Sequence, residues 1–346
     1  MAESSAPHCS TPRCGKHPAL ASVQSGVRER LRQLHRRWRA TREDLGRQAA
    51  ARFVGDRQYL TSLYRRQFGR LPDLDHPRTF NEKILCKILR DRRPYLTLFS
   101  DKLRVRDHVR RTAPQLSLPI LYWWSDRADD LPFDRLPDAF VLKANHGSGW
   151  NVFVDKRSRV GKETLVATAR RWLKSDFTIV GREWSYRDID RAVYAEEMLP
   201  GKDGMPPADY KLFVFNGRVR VIQVDEGRFA HHTQILYDER WNVIPGAVVA
   251  VPGTPGPAPC SLPTMIAAAE AISLGVDFVR VDLYDIDGQA VFGELTNSPN
   301  KGLSPFRPAS LDRLLGDYLR FDDFLAARPL ADYRQAVDDW RSGRAA

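Results

Sequence analysis

The 346-residue sequence predicts an α+β fold with a helical N-terminal region. Three observations predict it. Apolar residues recur at helical spacing up to about residue 112, strands with turn signals dominate from Pro114 to about residue 300, and the tightest turns join antiparallel neighbours. Hairpins mixed with helices argue against a doubly wound parallel sheet.

Residues 1–22 carry no periodic pattern and read as a disordered tail; His8, Cys9, Cys14 and His17 lie there at a spacing that fits no common zinc pattern. The stretch "VRERLRQLHRRWRATREDL" places Val27, Leu31, Leu34 and Trp38 at helical spacing among arginines, which makes a basic amphipathic helix. Such a helix can lie on an anionic membrane or a polyanion, but docking on its own domain is the commoner use and the one favoured here. In "HPRTFNEKILCKILRD", Thr79 and Glu82 form a capping box, and Phe80, Ile84, Leu85, Ile88 and Leu89 form one apolar face. Asp101–Arg111 reads as a further helix within a helical region predicted over 23–112.

The principal domain is predicted over 113–325, with a helical tail over 326–346. "DAFVLKANHGSGWNVFV" reads as strand, Gly-rich turn and strand, and "GKETLVATARRWLK" as a helix with Leu165, Val166, Ala169, Trp172 and Leu173 on one side. "VYAEEMLPG" is an apolar strand ending in two acids. "DYKLFVFNGRVRVIQV" is a hairpin about Asn216-Gly217. A Pro/Gly-rich loop leads into the helix "TMIAAAEAISLG", and "VDFVRVDLYDIDGQAVFGELT" is a last hairpin.

Composition narrows the function classes. A hydrophobic content of 42% permits a substantial core. No apolar run reaches membrane-span length and the N-terminus has no secretory apolar region, so a cytoplasmic location is expected. Cys9, Cys14, Cys86 and Cys260 are too few and scattered for a disulfide framework. The net charge of +11 suggests a polyanion partner until it is located: residues 1–52 hold 11 Lys/Arg against 4 Asp/Glu, which leaves only +4 for the rest. No nucleic-acid partner is expected, and a peripheral membrane contact through the basic helix is left open.

The last hairpin carries the clearest chemistry. With a loop of Asp287-Gly288-Gln289, Asp282 and Glu294 stand directly opposite, Arg280 and Tyr284 share the face of Asp282, and Phe292 and Thr296 share that of Glu294. Two carboxylates that close need positive charge between them. A magnesium ion completed by water and phosphate oxygens supplies it, and so does Arg280; an exposed salt bridge is the plainer alternative. Lys143 ends a strand and is followed by Asn145, His146, Gly147, Ser148 and Gly149, a turn able to fold over phosphates although it matches no P-loop. A regular hairpin about Asn216-Gly217 puts Asp209, Lys211 and Phe213 on one face with Arg220 and Ile222, which suits an exposed charged face. Of Glu196 and Glu197, only one side chain can face a given site.

The order of the pieces "SDKLRVRDHV", "FVLKANHGSG", "VYAEEML", "ADYKLFVFNGR", "VRVDLY" and "FGELTNSPNKG" resembles the ATP-grasp superfamily. The opening "FNEKILCKILRDRRPYLTLFSDKLRVRDHV" and the signature "DYKLFVFNG" resemble its TupA-like branch, associated with teichuronopeptide and other bacterial surface polysaccharides. The resemblance spans about residues 56–320. It implies two α+β subdomains holding ATP between them, and a ligase that joins a carboxylate to an amine through an acyl phosphate with ATP and Mg2+. By motif, Lys102 and Lys143 resemble the phosphate-contacting lysines, Asn145–Gly149 the lid, and Glu196 and Glu197 the segment that meets adenine. Asp209 is assigned to the ribose and Lys211 to the nucleotide and to catalysis. Asp282 and Glu294 resemble the magnesium ligands, with Thr296 or Asn297 as the third because the family's more usual Glu-x-Asn ending is altered here. Arg280 is assigned to steadying the acyl phosphate, and Arg228 and His232, by loop position, to the acceptor. The partners implied are ATP, a saccharide-linked acid and an amine. A kinase on the same fold, a glycosyltransferase, and a nucleic-acid or membrane-binding module are the competing readings.

Overall fold

Among the described residues the strands form two sheets, a small antiparallel one and a large one that is antiparallel except for a single pair. The computed structural model describes residues 54–155, 160–201, 207–227, 232–248 and 251–320; the expected basic helix, the N-terminal tail and the C-terminal tail lie outside the described residues.

Among the described residues, four helices come first: α1 (Asp56–Phe68), α2 (Phe80–Arg90), α3 (Tyr95–Ser100) and α4 (Val105–Thr112). The Thr79 hydroxyl accepts the Glu82 N–H at 3.3 Å while the Glu82 carboxylate accepts the Thr79 N–H at 3.1 Å, so α2 starts on the capping box read from the sequence. α4 starts later than expected. The Asp101 carboxylate accepts the N–H groups of Leu103 and Arg104 at 3.0 and 3.2 Å and holds those residues in a turn.

The small sheet contains β1 (Leu121–Ser125), β2 (Phe140–Ala144), β3 (Asn151–Val154) and β4 (Val193–Glu197), in the order β1-β4-β2-β3. Helix α5 (Lys162–Lys174) lays Leu165, Ala169 and Trp172 on Phe140, Leu142, Ala144, Val193 and Ala195. Strand alternation then turns Val141, Lys143, Tyr194 and Glu196 to the other face. A short helix, α6 (Thr178–Gly181), precedes β4.

The large sheet contains β5 (Asp209–Phe215), β6 (Arg218–Glu226), β7 (Thr233–Tyr237), β8 (Val243–Ile244), β9 (Val251–Pro252), β10 (Phe278–Ile286) and β11 (Gln289–Thr296). Its order is β11-β10-β5-β6-β7-β8, with β9 paired to β7 in parallel. The remaining helices are α7 (Leu262–Ile272) and α8 (Ala309–Tyr318). One face is apolar throughout, with Leu212, Val214, Ile222, Val281, Leu283 and Leu295 under α3, α4 and α7. The other face is divided. Phe213, Phe215, Val221, Leu236 and Phe278 lie under α1, α2 and α8, and Phe80 meets the rings of Phe213, Phe215, Phe278 and Phe306 at 5.0 to 6.1 Å. Further along the same strands that face becomes polar.

Two bulges correct the expected registers. The last hairpin turns on Asp287-Gly288 alone, both at positive φ (52° and 81°), with Ile286 paired to Gln289. An extra residue at Gly293 then restores Asp282 opposite Glu294, so the expected pair forms by a different route. Phe292 consequently faces the apolar core opposite Leu283 and does not share the face of Glu294 and Thr296. Glycine is required at the bulge because a Cβ at 293 would lie 2.8 Å from the Asp282 carbonyl oxygen. A second bulge, at Arg220, moves Ile222 off the face of Lys211 and into the core, while Arg220 stays exposed over the Tyr318 ring, which packs against Phe215. Gln223 and Asp225 stand opposite Lys211 and Asp209 instead.

Candidate active site

The divided face sets Glu294, Asp282, Lys211 and Gln223 side by side on four adjacent strands, with Thr296 and Arg280 paired in the next row. Arg280 grips Asp282 through Nε and Nη2, both at 2.6 Å, donates from Nη2 to the Thr296 hydroxyl at 3.0 Å, and lies 3.9 Å from Glu294. Burial pushes the Asp282 carboxyl up to about 6 against the pull of Arg280 and Lys211. Burial also raises Glu294, but the charges of Lys102, Arg280, Lys143 and Lys211 outweigh it and hold that carboxyl below its ordinary range.

Lys211 is buried, and its ammonium bonds Asp209 and lies 3.0 Å from Asp225. Asp225 further accepts Gln223 at 3.0 Å and Gln234 at 2.8 Å, with His232 Nε2 at 3.2 Å. Burial opposes this charge, yet Lys211 and the two amides hold the Asp225 carboxyl down to about 2. The charged face that suggested solvent exposure is therefore a buried polar network.

Lys102, between α3 and α4, ties the two sheets together. It donates to the Gly147 carbonyl at 2.7 Å, in the turn after β2, and lies 3.9 Å from Glu294 on β11. Burial draws its ammonium below the ordinary lysine range, with Glu294 pulling the other way. Lys143 pairs with Glu196, and Arg106 reaches the other Glu196 oxygen at 3.4 Å. Glu197 turns away, as alternation requires, and accepts the Ile120 N–H at 3.0 Å.

In the Gly-rich turn, Ser148 and Gly149 are exposed and Gly149 has φ 71°. Gly147 packs so closely on Trp150 that a Cβ would lie 2.5 Å from its ring. His146 is buried, its ring nitrogens 3.0 Å from Asn145 Oδ1 and from the Trp172 carbonyl, and burial pulls it down to about 4; it anchors the turn to α5. Asn297 is drawn toward α3, donating to the Leu96 carbonyl at 2.8 Å and the Ser100 hydroxyl at 3.0 Å, while Thr296 stays with Arg280. Arg228 lies outside the described residues.

Sequence reasoning missed three groups. Gln223 and Asp225 were hidden by the Arg220 bulge, and Gln234 by the pairing of β7 with β6. Arg106 carries no sequence signal of its own, since Lys102 lies before α4 begins and only the contact with Glu196 marks it. Glu183, in "GREWSY", lies in no periodic pattern. It is buried, and burial raises its carboxyl to about 7 although Lys301, Lys102 and a hydrogen bond to Ser298 oppose the rise.

The donor set fits a hard divalent cation that brings part of its own shell. Among the described residues no group of three or more His, Cys, Asp or Glu could hold a metal. The Asp282–Glu294 pair instead offers two carboxylates beside a hydroxyl, a set that phosphate oxygens and water would complete. Lys102, Lys143, Lys211 and Arg280 are the cations of this region, each within 4.0 Å of a carboxylate.

No curated protein sequence matches the chain. Among solved structures, D-alanine–D-alanine ligase from Bacillus anthracis complexed with ATP is 16% identical, at 67% coverage of this chain and 68% of that one, with a TM-score of 0.41. L-amino acid ligase from Bacillus licheniformis is 16% identical at 60% and 44% coverage with a TM-score of 0.40, and the ATP-grasp ligase PsnB complexed with minimal precursor is 13% identical at 65% and 61% with 0.38. The chain thus spans about three fifths of the PsnB ligase and less than half of the L-amino acid ligase. The TupA-like ATPgrasp family model matches residues 82–320, from the capping box of α2 past the end of α8, and this chain belongs to that family.

Proposed function

We propose that this protein is an ATP-dependent carboxylate–amine ligase that works through an acyl phosphate, acting on a sugar acid or polysaccharide precursor in the cytoplasm during bacterial surface-polysaccharide assembly. One observation carries the reading: Glu294, Asp282 and Lys211 stand in one row beside Arg280, and Lys102 links that row to the Gly-rich turn. The saccharide substrate is supported by the family match and the two opening motifs.

In this reading Lys102, Lys143 and the turn Gly147–Gly149 hold the phosphates, the Glu196–Glu197 segment meets the adenine, and Asp209 meets the ribose. Asp282 and Glu294 hold magnesium, with Thr296 supporting them. Bound ATP and magnesium supply the phosphoryl group and its electrophilic activation. Arg280 and Lys211 stabilise negative charge as the acid's carboxylate oxygen takes the terminal phosphoryl group and ADP leaves. The amine nitrogen then bonds the acyl carbon, the bond to phosphate breaks, and the amine's surplus proton is released. His232, tethered to Asp225, faces the acceptor at the far end of the network.

The test is the full chain with ATP, magnesium and sugar acids such as glucuronate and galacturonate. ADP and phosphate should appear together, and hydroxylamine should trap the activated acid as a hydroxamate. A stable phosphorylated product with no free phosphate would assign a kinase instead, and turnover of a nucleotide sugar without ATP a glycosyltransferase.

A further inference from the structure

Two buried polar residues, Asp101 at 1% exposure and Asn145 at 2%, join the Lys102 segment to the foot of the Gly-rich turn. The Asn145 side chain donates from Nδ2 to Asp101 Oδ1 at 3.1 Å and to the Asp190 carbonyl at 2.9 Å, while its Oδ1 accepts the Ala192 N–H at 2.8 Å. The two carbonyl-type partners can only accept and the Ala192 N–H can only donate, so the amide stands one way round. Aspartate has the same shape but lacks both donors. Arg104 closes a ring: its Nε lies 3.4 Å from the other Asp101 oxygen, and its Nη2 bonds the Asp190 carboxylate. The main chain runs alongside, with the Lys102 N–H donating to the Asn145 carbonyl at 3.3 Å and the Asn145 N–H to the Ala192 carbonyl at 3.1 Å.

This ring lies among the groups assigned to the phosphates. Lys102 follows Asp101 directly, Lys143 comes two residues before Asn145 and Gly147 two residues after, and the Lys102 ammonium bonds the Gly147 carbonyl at 2.7 Å. Asp101 and Asn145 are 44 residues apart in the chain, so the spacing of the two segments is set where these bonds form. Directed hydrogen bonds fix an angle as well as a distance, which an apolar contact does not. We propose that Asp101 and Asn145 are positioning residues that set the Lys102 ammonium and the Gly-rich turn at the spacing a triphosphate requires. Both are buried and act through Lys102 and the turn, so their loss misplaces the phosphate contacts without removing one.

This role rests on the ATP-site reading above and is tested apart from it. Binding of AMP-PNP with magnesium, and of adenosine, to the full chain is measured by ligand-observed NMR titration. Adenosine carries no phosphate, so its affinity reports whether the nucleoside end of the site and the fold around it are intact. Asn145→Asp and the milder Asn145→Ser should each weaken AMP-PNP by about 10-fold or more and leave adenosine within about 2-fold. Asp101→Asn keeps an oxygen for the Asn145 amide and for the Leu103 and Arg104 N–H groups, and its AMP-PNP affinity should stay within about 3-fold of the unsubstituted chain. Equal loss of AMP-PNP and adenosine would make the ring a structural support alone and overturn the proposal. Unchanged AMP-PNP binding in both Asn145 variants would overturn it too. An unsubstituted chain that binds AMP-PNP no better than adenosine removes the ATP-site reading itself, and this role with it.

Discussion

Glu294 and Asp282 tolerate one another because cations surround them. Replacing one carboxylate therefore alters the charge balance and, in the proposed ligase, the affinity for magnesium. Glu294→Gln should lower ATP turnover by about 10²-fold or more and shift the magnesium requirement upward, read as ADP release against magnesium concentration. Asp225 makes a separate prediction about stability. Its folded carboxyl sits near 2, below the ordinary value, so the folded state holds fewer protons than the unfolded chain in that interval. The stabilisation is complete above about pH 4 and disappears as pH falls toward about 2, with a magnitude of about 2 kcal/mol. Urea unfolding across this range should show that loss, and Asp225→Asn should remove it from the pH profile. The residue types at the site were legible in the sequence, since Lys143 before a Gly-rich turn and Glu294 at a strand end are local signals. The partners of Asp225 were not, because strands β6 and β7 must pair before Gln234 and His232 reach it.

Each hairpin combined a turn signal with a hidden bulge. Asn216-Gly217 was readable because positive φ at both turn positions favours these residues, whereas the last turn, expected as Asp287-Gly288-Gln289, closes on Asp287-Gly288 alone. A bulge leaves a weaker trace. At Gly293 the trace was a glycine inside a strand, and at Arg220 nothing in the sequence marks it. Gly293→Ala tests the first bulge: the new Cβ would also lie 2.9 Å from the Tyr284 ring, with backbone rather than flexible atoms on its other side. We expect a loss of about 1–3 kcal/mol in denaturant unfolding. Weaker magnesium-dependent turnover should accompany it, because Glu294 follows the bulge directly.

Across the molecule, α2 is joined to the large sheet by more than its apolar face. Lys87 on α2, buried at 3% exposure, binds Asp277 just before β10 and Asp91 at the helix end. Arg93 and Tyr95 extend the network, with Arg93 3.0 Å and Tyr95 3.2 Å from Asp277. Lys87→Met should cost about 3–5 kcal/mol in chemical unfolding, since it leaves two buried carboxylates to Arg93 and Tyr95. The apolar face of α2 was visible as a helical stripe, whereas nothing in the sequence singles out Lys87. Its burial depends on Asp277, 190 residues away.

By itself the sequence determined the capping box of α2, the Asn216-Gly217 turn, the α+β character and a last hairpin that brings Asp282 and Glu294 together, although that pairing rests on the bulge at Gly293 and not on the three-residue loop expected. These rest on local rules of capping, turn chemistry and strand alternation, which neighbouring residues satisfy alone. Only the tertiary structure decided which polar residues are buried together. A one-residue bulge turns a strand's side chains to the opposite face, and a buried ion pair exists only where distant elements meet and exclude water. The site at Glu294 could thus be glimpsed from its own strand, while Glu183, Asp225 and Arg106 required the sheets and helices to close around them.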